Sequence, residues 1–155
     1  MNYNEKKVQR GDAVCLHAAN YLNDAKDMNF YQKLERFEML NSLNKRAATK
    51  TLHVSLNFDP SEKLSAAGLV SIANAYMDKI GFGEQPFLVY KHEDAGHPHI
   101  HIVSTDIKED GSRIKTHNIG RNQSKKARKE VEELYGLVKA EEQKKSLLQK
   151  IKPVD

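Results

Sequence analysis

Residues Phe87-Leu-Val-Tyr-Lys-His92-Glu-Asp-Ala-Gly-His97-Pro-His99-Ile-His101-Ile-Val-Ser-Thr105 read as two strands joined by a polar, glycine-containing loop. Phe87–Lys91 is short, apolar and aromatic, and His99–Thr105 carries Ile100, Ile102 and Val103. Side chains two apart on a strand share a face, so His99 and His101 project together while Ile100 and Ile102 point the other way. His92 closes the first strand. Four of the seven histidines fall within these ten residues, 92–101.

Working outward, Thr51–Phe58 alternates cleanly. Leu52, Val54, Leu56 and Phe58 make one face, and His53, Ser55 and Asn57 the other. Asn29–Ala48 has helical spacing, with Phe30, Leu34, Phe37, Leu40 and Leu43 on one stripe and Asn29 or Asp27 as the cap. A second helix is predicted from Ser65 to Ile80, closed by Gly81. Ala13–Leu22 fits a strand or a short helix. Asp110-Gly111 predicts a hairpin-type turn, with Ile107 and Ile114 flanking a further short strand pair. Gln123–Tyr135 is predicted helical and stopped by Gly136, and Val138–Ile151 as a charged helix resting on Leu147, Leu148 and Ile151. This order predicts an α+β domain over residues 1–155, an antiparallel sheet with helices packed on it.

The 155 residues are 39% hydrophobic and 30% charged, which suits one soluble domain with a real core. No apolar run approaches the roughly 18 residues of a membrane span, and the N-terminus lacks the apolar core of a signal peptide. The single Cys15 excludes an internal disulfide and agrees with a cytoplasmic location. Net charge is only +4, yet Arg113–Lys129 holds seven basic residues and no acidic one. Arg121, Lys125, Lys126 and Arg128 in that run are candidate phosphate contacts.

Neutral imidazole is the commonest metal ligand at neutral pH. His92, His99 and His101 on paired strands are therefore candidate ligands for one divalent ion, with positions left open for water or substrate, the pattern of a catalytic site. His97, in the turn beside Pro98, is expected not to ligate. Asp94 and Glu93 are candidates to orient a ligand ring. A three-histidine oxygenase on a barrel would need many more strands than this helix-rich chain offers.

His99-Ile-His101 with His92-x-Asp94 upstream resembles the metal motif of HUH endonucleases, and more closely that of the relaxases, the mobilisation nucleases of conjugative elements. Thr51-Leu-His53-Val-Ser55-Leu-Asn57, Lys63-Leu-Ser65 and Arg121-Asn-Gln-Ser124-Lys-Lys-Ala-Arg128, leading into Leu134-Tyr-Gly-Leu137, agree with that family, closest to its Bacteroides-type members. The resemblance covers nearly the whole chain. It implies a metal-dependent, site- and strand-specific DNA nickase and strand transferase, using Mg, Mn or another divalent ion. Its partners would be single-stranded DNA at an origin-of-transfer hairpin and accessory mobilisation proteins. His53, Ser55 and Asn57 would face that DNA.

The resemblance also implies the nucleophile Tyr3, because Tyr3-Asn4-Glu-Lys-Lys7-Val8 matches the family's tyrosine motif, with Asp94 supporting the site. Tyr21 and Tyr31 are the fallback nucleophiles. The family usually places a strand before this tyrosine, and only two residues precede it in this sequence. The expected sheet therefore lacks its first strand, and a non-catalytic DNA-binding remnant is the alternative reading.

Overall fold

The computed structural model describes residues 2–48, 50–93, 96–116, 119, 122–139 and 150–154, with Asn2 and 150–154 described by backbone alone. Asp94, Arg121, Leu147 and Leu148 lie outside the described residues. The elements are α1 (Asn2–Gln9), β1 (Ala13–Ala19), a 3-10 turn (Ala25–Asp27), α2 (Phe30–Asn41), β2 (Thr51–Asn57), α3 (Ala66–Lys79), β3 (Phe87–His92), β4 (His99–Thr105), α4 (Gln123–Tyr135) and β5 (Lys150–Val154).

The sheet runs β1-β3-β4-β2-β5, and every neighbouring pair is antiparallel. This is the expected α+β architecture. β3 and β4 form the predicted hairpin, with His92 directly opposite His99. β2 lies on the other side of β4, with Ser55 opposite His101 and Asn57 opposite His99.

Strand alternation divides the molecule into two layers on the sheet. Leu52, Val54, Leu56, Phe87, Val89, Ile100 and Ile102 face α3 and α4, and join Leu69, Ile72, Tyr76, Ala127 and Val131 in the main core. Leu88, Tyr90 and Val103 face the opposite way and pack with Phe37 of α2 in a smaller cluster. The histidines share that second face.

Local chemistry explains most boundaries. Asn29 and Gln32 form a reciprocal capping box at the start of α2. Ser65 caps α3 by accepting from the Gly68 amide. Gly11, at φ +81°, ends α1, with its amide and that of Asp12 donating to Val8 and Lys7.

Three expectations need correction. The α2 stripe stops at Asn41 rather than Ala48, because the Asn44 side chain accepts from the Arg46 and Ala47 amides and turns the chain. Leu43 is exposed as a result. The Asp110-Gly111 turn forms, but its flanks meet in a single bridge, Ile107 with Arg113. Of the terminal helix expected over Val138–Ile151, residues 140–149 lie outside the described residues, and its end at Lys150 and Ile151 belongs instead to β5, which pairs with β2. Pro153 disfavours helix at the residue before it and fits an edge strand.

Candidate active site

The site is assembled from four elements on the face of the smaller cluster. The ligand atoms of His92, His99 and His101 lie within 4.8 Å of one another. The rings of His92 and His101 stack at 3.9 Å between centroids. His97 stays outside this group: its carbonyl accepts from His99 Nδ1 at 3.3 Å, and its Nε2 meets Asn57 Oδ1 at 3.2 Å.

Each ring of the triad has one nitrogen engaged. His92 Nε2 meets Asn4 Oδ1 at 2.7 Å, His99 Nδ1 meets the His97 carbonyl, and His101 Nδ1 meets His53 Nε2 at 2.6 Å. Among the described residues, the remaining nitrogen of each ring makes no hydrogen bond. Second contacts of this kind fix the ring and tautomer of metal-binding histidines. Glu93, the other residue considered for such a contact, instead sits 3.6 Å from Lys91.

Electrostatics agree with neutral rings. Burial lowers His101 to about 3 and His92 to about 4, assisted by the neighbouring imidazoles and Lys7, and burial also lowers His99. Neutral imidazole keeps its lone pair available at pH 7. Three clustered neutral imidazoles fit a divalent transition ion.

The first turn of α1 brings Tyr3 over this cluster. Its ring centroid is 6.0 Å from that of His92 and 6.4 Å from that of His101. Tyr3 is 54% exposed, and Lys7 Nζ lies 5.3 Å from its ring centroid. The two fallback tyrosines are placed differently. The Tyr21 hydroxyl donates to the Lys33 carbonyl at 2.8 Å, and burial pushes its pKa up. Tyr31 is exposed on α2.

Val8 packs α1 against the smaller cluster, but the fully seated residues of this helix are polar and were not legible in the sequence. Glu5 is buried, accepting from Tyr90 Oη at 2.5 Å and pairing with Lys33 Nζ at 3.2 Å. Asn4 is fully buried beside His92. No hydrophobic period announces such a helix.

His53, Ser55 and Asn57 alternate with buried Leu52, Val54 and Leu56, and so share the histidine face as expected. His53 is also drawn into the histidine cluster through His101. Lys125, Lys126 and Arg128 lie on α4, which packs through Ala127 and Val131 on the opposite face. They do not join the triad. Arg128 Nε is 3.9 Å from Glu132.

A family model for the relaxase MobA/VirD2-like nuclease domain matches residues 3–137, from Tyr3 through the triad to the end of α4. The chain belongs to this relaxase family. Comparison with curated proteins found no match, and neither did comparison with solved structures. Family membership supports a DNA nuclease of the nicking class, and the triad of this relaxase domain supplies a set of residues able to hold a divalent ion. Among its described residues no helix is long and apolar enough to cross a membrane.

Proposed function

We propose that this relaxase domain nicks one strand of DNA at a specific site and holds the cut end on Tyr3. The observation that carries this reading is the position of Tyr3, its ring centroid 6.0 Å from that of His92 and 6.4 Å from that of His101, and its side chain half open to solvent. The Tyr3 hydroxyl gives up its proton and forms a bond to phosphorus as the bond from phosphorus to the 3′ oxygen breaks. The 3′ oxygen takes up a proton and leaves as a free 3′-OH, while the 5′ phosphate stays on the tyrosine. The covalent link divides the reaction into two steps and keeps the bond available for rejoining.

His92, His99 and His101 would hold the divalent ion, Mg, Mn or another, which neutralises charge on the phosphate oxygens when bound. Lys7 adds positive charge beside the same ring. His53, Ser55 and Asn57 extend the site face toward the bound strand. Lys125 and Lys126, exposed on α4, form a separate basic face that neutralises backbone phosphates farther from the cut, whereas Arg128, its side chain 13% exposed and turned against Glu132, does not belong to that face. Asp94 and Arg121 keep their proposed roles from the sequence alone. The substrate is single-stranded DNA beside an origin-of-transfer hairpin, met in the cytoplasm with accessory mobilisation proteins. Kinship with Bacteroides-type mobilisation proteins is proposed on the Thr51–Asn57, Lys63–Ser65 and Arg121–Arg128 stretches taken together with the histidine motif.

The test is incubation with Mn and end-labelled origin-of-transfer strand, followed by denaturing electrophoresis. A denaturant-resistant protein–DNA band is expected from the wild type and not from Tyr3→Phe. Binding of the correct strand without any band would contradict the enzymatic reading and favour a DNA-binding remnant.

A further inference from the structure

Beside Tyr3 on α1, Asn4 is fully buried, and its side chain reaches His92 with Oδ1 2.7 Å from Nε2. His92 is itself only 3% exposed, so water does not compete for this contact. A neutral imidazole has one N–H and one lone pair, and an amide oxygen can only accept. With Oδ1 toward the ring, the proton sits on Nε2 and the lone pair on Nδ1. The reversed amide would donate to Nε2, move the proton to Nδ1 and leave His92 no lone pair for an ion. Ligation by His92 with this contact intact therefore selects the first arrangement.

A second observation points the same way. In that arrangement Asn4 Nδ2 is buried with no hydrogen-bond partner among the described residues. Burying an amide with an unpaired N–H is unfavourable, so packing alone does not account for asparagine at this position. An acceptor for His92 does.

We propose that Asn4 is a positioning residue that holds His92 in the tautomer with Nε2 protonated and Nδ1 available as its metal-ligand atom. Asn4 and Tyr3 are consecutive residues of α1, so the helix that carries the proposed nucleophile also orients a ligand of the metal site. The inference rests on the proposed metal role of the triad, but the tautomer is observable without metal or DNA.

The experiment is long-range proton–nitrogen correlation NMR of the metal-free protein at neutral pH, together with calorimetric titration of Mn into the same samples. Wild type is expected to show His92 protonated on Nε2. Asn4→Leu, with the same branching at Cγ but lacking an acceptor, should shift His92 toward the other tautomer and weaken Mn binding about 10–100-fold. Asn4→Asp keeps an acceptor and should keep both the tautomer and the affinity, which a loss through misfolding would not do. His92 protonated on Nδ1 in wild type, or Asn4→Leu with unchanged tautomer and affinity, overturns the proposal. The expected tautomers with no Mn binding in any variant would leave Asn4 as the orienting residue and instead overturn the metal role of the triad.

Discussion

Replacing Glu5 should destabilise the fold far more than its place in the first helix suggests. Its side chain is 10% exposed and that of Lys33 5%, and the carboxylate is shared between Lys33 and the Tyr90 hydroxyl. Glu5→Leu leaves the Lys33 ammonium buried without this partner, a loss of about 3–5 kcal/mol. Against a total of about 5–15 kcal/mol this is a large share, and it lowers Tm by roughly 6–20 °C at about 2–4 °C per kcal/mol.

The triple variant Glu5→Leu, Lys33→Met, Tyr90→Phe removes charge and hydroxyl together. It should recover most of the loss, because apolar replacement of a whole buried pair is often neutral or stabilising. Urea unfolding of the two variants beside wild type measures both quantities. A single variant that loses less than about 1 kcal/mol, or a triple variant no more stable than the single one, would refute the reasoning.

Other predictions follow from the same geometry. His53→Ala removes the partner of His101 Nδ1 and should weaken Mn binding about 10–100-fold in calorimetry, with His101 still present. His92 and His101 hold their folded values at about 4 and about 3, below the ordinary 6.5, so the unfolded chain binds more protons across this interval. Their contribution to stability is present above about pH 6.5 and is lost as pH falls through about 4 for His92 and about 3 for His101. Urea midpoints of the metal-free protein at pH 7.5 and 5.0 should show this fall, and His101→Gln should make it shallower. Lys125→Ala with Lys126→Ala should weaken single-strand binding and flatten its dependence on log salt by about 0.7 for each phosphate that is no longer neutralised.

The sequence was most informative where apolar and polar residues alternate without interruption. β2, β3 and β4 lie where the pattern put them, and with them the shared face of His92, His99, His101, His53, Ser55 and Asn57. β1 was ambiguous because its pairing register shifts between Cys15 and His17, which breaks the two-residue period. α1 was invisible because Asn4 and Glu5, its buried residues, are polar, and its burial depends on partners far along the chain. Lys33, buried on α2 against Glu5, was hidden for the same reason. The pairing of His53 with His101 needed the register of β2 on β4, and alternation gives a face but not a register.

The most direct test of the central claim is to locate the covalent link. Trypsin digestion of the adduct formed with Mn and the origin-of-transfer strand, followed by mass spectrometry, should find the nucleotide on the peptide Met1–Lys6, attached to Tyr3. A nucleotide on a peptide carrying Tyr21 or Tyr31, or an adduct of undiminished yield from Tyr3→Phe, would contradict it.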